Sequence, residues 1–358
     1  MDMPTSFGPH GAYHVVSEIG KGGFATVYKA YHAALDRYVA IKVLRPELLQ
    51  VDQGRERFER EARIAARLSG HPNIVAIYDY GEQDGLAYLI LEYIDGTTLQ
   101  KRLAQPISFA EIGRIVSGVA SALDFAHAHH LVHRDVKEAN VLFGNDGRVV
   151  LSDFGIAKLL DSVTSVTATI LGTPEYMSPE QVISAHVDGR SDIYALGAMV
   201  YRMFTGRPPF AGPPLSILHQ HVHDTPPPLT TEGRPIPAGV EEVVQRALAK
   251  NPDARYGSAG ELAEDLSRAL RPAILRERAQ TTPQSKSLDQ ATQAADLQTD
   301  SAAGDELDRP NPAGPGLAEW HEDAGAPSIA AAGTPSQPQV TGAPIPSSPS
   351  RPLVPAPI

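Results

Sequence analysis

Cysteine is absent from the 358 residues, which excludes disulfides, thiolate metal sites and cysteine nucleophiles and leaves the chemistry to other side chains. No uncharged apolar run reaches the roughly 18 residues that a membrane helix needs. The opening Met1-Asp2-Met3-Pro4 has neither a basic n-region nor an apolar core, so the expectation is a soluble, cytoplasmic protein with no membrane span. Basic residues are the minority, 31 against 42 acidic for a net charge of −11, and that balance disfavours a phosphate-backbone partner; no nucleic acid is expected. What is present is ordinary for a soluble protein. Hydrophobic residues make up 42% and charged residues 20%, in a length that admits two or three domains, or one large two-lobed unit with a tail.

The texture changes late in the chain. Residues 276–358 hold 13 of the 31 prolines and one aromatic residue, Trp320. So little large apolar surface cannot offset an ordering cost of roughly 1 to 2 kcal/mol per residue, so this tail is expected to be disordered and to act as a tether. The first ninety residues read mostly as strands, over 15–19, 27–30, 39–44, 74–80 and 87–93. One helix interrupts them over 55–68, where Phe58, Ala62, Ala65 and Leu68 recur at helical spacing. Beyond Gly96 helices are expected over 109–129, 192–204, 215–223 and 240–248, with short strands over 141–143 and 149–151. The pattern is that of a small sheet lobe, a larger helical lobe and a ligand cleft between them.

Gly20-Lys21-Gly22-Gly23-Phe24-Ala25 lies between two strand-like runs, where glycines would let backbone amides approach phosphate oxygens. By itself it is equally a hairpin turn. It fits G-x-G-x-x-G/A, but a dinucleotide site must open a helix, whereas Thr26-Val27-Tyr28-Lys29-Ala30 continues as a strand. A Walker loop fails too, because Lys21 is followed by Gly22 rather than Ser or Thr.

Four further elements follow in one order: Val39-Ala40-Ile41-Lys42, Glu61 on the lone helix, His133-Arg134-Asp135-Val136-Lys137-Glu138-Ala139-Asn140, and Asp153-Phe154-Gly155. With these the chain resembles the eukaryotic-like protein kinase family. The resemblance implies an α+β, two-lobed kinase domain over 11–272, with a mainly antiparallel β N-lobe (11–93) carrying one key helix and a mainly helical C-lobe (96–272). It also implies ATP and Mg²⁺ as co-substrate and cofactor. Phosphoryl transfer needs polyanion neutralisation and alignment more than covalent help, so each residue receives an electrostatic or positioning task. Lys42 would hold the α and β phosphates, kept in place by an ion pair with Glu61. Asp153 and Asn140 would supply oxygen ligands to Mg²⁺. Asp135 would orient the acceptor hydroxyl and accept its proton, and Lys137 would neutralise the moving γ phosphate. Ile19, Val27, Ala40 and Leu142 would wall the adenine, Leu91 would be the gatekeeper, and Glu92 and Ile94 would offer backbone hydrogen bonds.

Lys137 and the run Gly172-Thr173-Pro174-Glu175-Tyr176-Met177-Ser178-Pro179-Glu180 look like serine/threonine kinases, and Ser191-Asp192-Ile193-Tyr194-Ala195-Leu196-Gly197 is similar to bacterial members. Glu180 matches the acid that pairs with a late arginine, here Arg255, and Asp192 the one that braces the catalytic loop. Autophosphorylation is expected on Thr167, with Thr169, Ser165 and Thr164 behind it, where phosphate would add about −1.5 to −2 charge near Arg134. Two departures from the family pattern stand out. Ala25 replaces a glycine, and Glu138 stands where relatives usually have proline, which would place a negative charge beside the substrate groove and favour basic peptides. His219, His221 and His223 alternate along a helix and so do not share a face for a metal. His127, His129 and His130 sit at a helix end, where the dipole suits them. The rival readings are a non-catalytic pseudokinase, which would have lost Lys42, Asp135 or Asp153, and a small-molecule kinase, which would lack residues 172–180. Partners are expected to be protein substrates with Ser/Thr acceptors, and a back-to-back homodimer is possible around Leu35 and Asp79.

Overall fold

The computed structural model describes residues 4–23, 25–49, 54–154, 174–230 and 235–281, all within one unit, Met1–Ser285. Its N-terminal half is a six-stranded antiparallel sheet in the order β1-β2-β3-β4-β6-β5. The strands are β1 (Ser6–Phe7), β2 (Tyr13–Lys21), β3 (Ala25–His32), β4 (Arg37–Leu44), β5 (Ile77–Gln83) and β6 (Leu86–Glu92). Two helices lie between β4 and β5, α1 (Pro46–Leu49) and α2 (Gly54–Ala66).

Because side chains alternate across a pleated strand, β4 feeds two cores. Val39, Ile41 and Val43 join Phe7, Tyr28, Tyr88 and Ile90 on one face, while Leu44 joins Phe58, Ala62, Ala87 and Leu89 on the other. A strand buried on both faces reads as a continuous apolar run, and Lys42 is its one buried charge. The sheet begins earlier than residue 11. Phe7 is fully buried and meets Tyr88 edge-on at 5.0 Å, and Gln83 Nε2 donates to the Ser6 carbonyl at 3.0 Å, so the two edge strands meet.

The helical half follows β6. It contains a small antiparallel sheet of β7 (Gly96–Thr98), β8 (Val141–Gly144) and β9 (Val149–Leu151). Its helices are α3 (Leu99–Arg102), α4 (Phe109–Ala128), α5 (Pro179–Val182), α6 (Gly189–Thr205), α7 (Pro214–His223), α8 (Val240–Ala247) and α9 (Ala259–Thr281). Among the described residues no helix is long and apolar enough to cross a membrane. α6 is the buried axis of this half. At Gly197 it passes so close to α8 that a Cβ there would stand 2.6 Å from that of Ala247, which only glycine avoids. α4 and α9 cap each other. The Asp124 carboxylate accepts from the backbone N–H groups of Ala259 (2.8 Å) and Gly260 (2.9 Å), and Glu277 Oε2 accepts from Phe109 N–H (3.1 Å).

Most expected elements form within a few residues of their expected ends, and the exceptions have physical causes. The strand expected over 74–80 is displaced to Ile77–Gln83 because the chain before it pairs with the other half of the molecule. Val75 N–H donates to the Leu151 carbonyl (3.0 Å), and Leu151 N–H donates to the Asn73 carbonyl (2.8 Å). That pairing ties the two halves together directly behind the cleft. β1, α1, β7, α3, α5 and α9 are additional elements, all but α9 too short to show a periodic pattern.

Candidate active site

The upper wall of the cleft is one face of the sheet. Directly opposed residues of paired strands share a face, so the pairs Val27↔Lys42, Lys42↔Leu89 and Ala40↔Leu91 line up Val27, Ala40, Lys42, Leu89 and Leu91 together. Ile19 falls at a bulge of β2 and is 45% exposed, and Gly20 stands opposite Val27. Lys21, Gly22 and Gly23 form the exposed turn into Ala25, which is buried; Phe24 lies outside the described residues. Gly22 does not present its amide outward: it donates to the Ala25 carbonyl at 2.9 Å, and Arg45 Nη2 donates to the Gly22 carbonyl at 3.0 Å.

The Lys42 ammonium, 7% exposed, pairs with Asp153 Oδ1 at 2.7 Å, an ion pair that joins the sheet half to the helical half. The expected partner was Glu61. That residue is also buried, on α2, and lines one apolar cavity with Phe58, Ala62, Leu91, Asp153 and Phe154. A buried ammonium takes the carboxylate that reaches it. Asp153 meets it from a backbone in the left-handed region, with φ 69°. Removal from water alone would raise the Asp153 carboxyl, but the Lys42 ammonium, with His133 and Lys137 behind it, holds it below the usual carboxylate range.

The lower wall is the segment 133–140, and its shape is dictated by buried polar groups. Asp192, in the first turn of α6, accepts from the backbone N–H of His133 (Oδ2, 2.8 Å) and of Arg134 (Oδ1, 2.7 Å), and its Oδ2 meets His127 Nε2 at 2.7 Å. Burial disfavours a charged His127, yet the hydrogen bond and charge of Asp192, with Asp124 and Asp188, raise it above its ordinary value. So His127 has a carboxylate partner beyond the helix dipole. Gln181 Nε2 donates to the Arg134 carbonyl at 2.9 Å. Both backbone groups of Arg134 are thus held while its φ is 67°, a conformation that costs about 1 kcal/mol or more and persists only where neighbours over-determine it. His133 accepts the Asp135 N–H at Nδ1 (3.2 Å), which makes Nε2 the donor to the Ser152 carbonyl (2.8 Å), and its ring packs on Phe154.

These constraints place three of the expected residues in contact. Lys137 Nζ lies 2.8 Å from Asp135 Oδ2, and Asn140 Nδ2 donates to the same oxygen (3.1 Å) and to the Asp135 carbonyl (2.8 Å). The Asn140 nitrogen being spent on Asp135, its amide oxygen is the atom left for a metal ion. Among the described residues no cluster of three or more His, Cys, Asp or Glu could hold a metal. One carboxylate and one amide oxygen nevertheless fit Mg²⁺, which keeps several waters and takes phosphate oxygens from its substrate.

Glu92 donates its backbone N–H to the Ala76 carbonyl at 2.8 Å, so any bond it offers a ring must come from its carbonyl. Its carboxylate is held by Arg148 Nη2 at 2.7 Å. Ile94 is half-buried just past β6, and Leu142 lies on β8 opposite Thr98 and Val150. Glu180 and Arg255 form the expected pair, buried and bidentate at 2.7 and 2.8 Å, and Ser191 Oγ adds a bond to Glu180 at 2.5 Å. His221 is buried and bonds the Tyr194 hydroxyl at 2.9 Å, whereas the rings of His219 and His223 meet each other at a tilt, 4.6 Å between centroids.

One expectation is overturned. Glu138 does not face a substrate groove; it is 2% exposed, with Arg202 Nε 3.7 Å from its carboxylate and Tyr176 beside it. Burial pushes its carboxyl up, and Tyr176 and Arg202 offset that only in part. The turn Glu138–Asn140 aims the side chain inward, a direction that motif spacing does not encode. Gly155, Thr164, Ser165, Thr167 and Thr169 lie outside the described residues. The brace from Gln181 was missed, although Ser178-Pro179-Glu180-Gln181 is a capping-box pattern legible in the sequence, and the box forms.

The comparisons with known proteins agree with this geometry. The model of the protein kinase domain matches residues 13–266. Serine/threonine-protein kinase PknB of Mycolicibacterium smegmatis is 42% identical over 266 residues, and a probable serine/threonine-protein kinase of Streptomyces coelicolor is 39% identical over 280. Those alignments cover 72% and 75% of this chain but only 42% and 41% of the relatives' own lengths. The crystal structure of the Mycobacterium tuberculosis PknI kinase domain is 33% identical, with a TM-score of 0.61 over 75% of this chain and 99% of that one. Two lobes joined through Lys42 and Asp153, a loop over 133–140 braced by Asp192 and a family match across both lobes make the chain a member of the protein kinase family, in its bacterial eukaryotic-like serine/threonine branch.

Proposed function

We propose that this chain transfers the γ-phosphoryl group of ATP to Ser or Thr hydroxyls of proteins. The observation that carries the reading is the convergence of Lys42 and Asp153 at 2.7 Å beside the linked trio Asp135, Lys137 and Asn140. Magnesium, when bound, would screen the phosphate charge and fix the oxygens, with Asp153 and Asn140 as its protein ligands. Lys42 would neutralise the α and β phosphates, and Glu61, buried beside Asp153, would steady that end of the site. Ile19, Val27, Ala40 and Leu142 would contact the adenine, the Glu92 carbonyl and Ile94 its edge, and residues 20–25 the phosphates. Asp135 would orient the acceptor hydroxyl for attack on the γ phosphorus. As the new P–O bond forms, the bond to the β-phosphate oxygen breaks, ADP leaves, and the hydroxyl proton passes to the Asp135 carboxylate. Lys137 would balance charge on the moving group.

Protein Ser/Thr acceptors are supported by the names of the relatives and by Lys137 with the segment 174–180. Autophosphorylation on Thr167, Thr169, Ser165 or Thr164 belongs to the same proposal, as does a cytoplasmic setting, where ATP is available. A sheet-lobe homodimer draws support from the exposure of Leu35 (58%) and Tyr78 (42%), and sedimentation of the Leu35→Glu variant tests it. The central test is transfer of radiolabelled phosphate from Mg·ATP to the chain itself and to a basic acceptor protein. Asp135→Asn and Lys42→Met should each lower it by about a hundredfold or more. Undiminished transfer in either variant, or no transfer by the wild type, overturns the reading.

A further inference from the structure

Asp135 is flanked by two side-chain ties to one stretch of chain, Pro174 to Val182. On its N-terminal side Gln181 Nε2 donates to the Arg134 carbonyl at 2.9 Å, and Gln181 is itself fixed by the capping box with Ser178. On its C-terminal side stands Glu138. Its carboxylate faces Arg202 Nε at 3.7 Å, and Arg202 Nη1 donates to the Tyr176 hydroxyl at 2.8 Å. Glu138 is 2% and Tyr176 5% exposed. Arg202 comes from the last turn of α6, whose first turn holds Asp192, the residue that fixes the backbone of 133–134. One rigid helix therefore anchors the loop at its start through Asp192 and near its end through Arg202. The second anchor also grips Tyr176.

We infer that Glu138 is a positioning residue: through Arg202 and Tyr176 it sets the distance between the catalytic loop and the segment 174–182, and so the placement of the acceptor hydroxyl against Asp135. The inference rests on the proposed kinase reading. Among the described residues no hydrogen bond or ion pair joins Glu138 to Lys42, Asp153 or the Asp135 carboxylate, so the nucleotide side of the site does not depend on it. A buried carboxylate is costly unless it is compensated, and here the compensation, partial as it is, comes from Tyr176 and Arg202, which also bond each other. Loosening it frees the acceptor side alone, and misplacement of a reacting group by an ångström costs one to two orders of magnitude in rate.

This makes a distinction that general damage to the fold would not. The Glu138→Gln variant keeps the shape and removes the charge. It should lower phosphorylation of a basic acceptor protein about tenfold, with KM for ATP and acceptor-independent ATP hydrolysis within about twofold of wild type. Tyr176→Phe, which deletes the shared hydroxyl and leaves Arg202 facing Glu138, should produce the same split and covers the case in which Glu138→Gln folds poorly. Arg202→Met combined with Glu138→Gln should be no worse than the poorer single variant, because both break one tie. Unchanged acceptor phosphorylation, a parallel fall in hydrolysis and transfer, or single effects that multiply in the double variant each overturn the inference. A wild type that neither hydrolyses ATP nor transfers phosphate overturns the kinase reading instead, and this inference with it.

Discussion

The two walls of the cleft are built by different physics. In the upper wall Val27, Ala40, Lys42, Leu89 and Leu91 share a face because strands alternate and register is set by the ladder, so backbone pairing alone orders them. It is tied to the lower wall by the ion pair Lys42–Asp153. The lower wall has no ladder. Residues 133–140 hold no more than the single turn Glu138–Asn140, with Arg134 in a left-handed conformation, and are held by polar side chains: Asp192 from α6 and Gln181 from α5 reach into the segment, and its own Glu138 turns onto Arg202. A pleated sheet tolerates change at one position; a loop held by discrete buried bonds does not, because each broken bond strands a desolvated partner.

That contrast can be broken at several points. The largest effect is expected from Arg255→Met, which strands Glu180 and should cost about 3–5 kcal/mol in urea unfolding. Next comes pH. Burial, reinforced by the Lys250 ammonium, pushes His221 down to about 4 from its ordinary 6.5. The unfolded chain therefore takes up the proton first as pH falls. The stabilising contribution is full above about pH 6.5 and is lost progressively between 6.5 and about 4, up to about 3 kcal/mol. Unfolding midpoints at pH 7.5 and 5.0 should separate for the wild type and converge for His221→Gln. Asp192→Ala should slow transfer about a hundredfold at unchanged KM for ATP, since it releases the His133 and Arg134 amides and leaves the upper wall intact. A rise in KM for ATP of the same size would erase the distinction between the walls.

The smallest effects sharpen the comparison from outside the cleft. Glu277→Ala removes the cap that α9 gives to the start of α4, and should cost about 1 kcal/mol in thermal unfolding. A chain ending at residue 272 should lose at least as much, because Ala273 and Ile274 also pack on the helical core.

Much of this was legible before any coordinates. The strands of the upper wall carry long β-branched runs, so Lys42 stands out as a charge inside an apolar strand. The spacing from Asp135 to Asn140 is short enough that one turn can bring them together. Less legible were features in which a side chain chooses among partners. Lys42 pairs with Asp153 across the cleft, and Gly22 spends its amide on Ala25. Glu138 turns inward because Arg202 and Tyr176 wait 64 and 38 positions further along the chain. Segments such as β1 and β7 escaped notice because two or three residues have no period to detect.

By itself the order of residues determined the lobed plan, the apolar faces and the identity of the groups that could do the chemistry, since these follow from periodicity and from what each side chain can donate or accept. Which carboxylate meets the buried ammonium, which amides Asp192 holds, and whether Glu138 looks out or in were decided only when distant segments packed together. Partner choice in a desolvated interior depends on ångström separations between residues far apart along the chain, and local pattern contains no information about those separations.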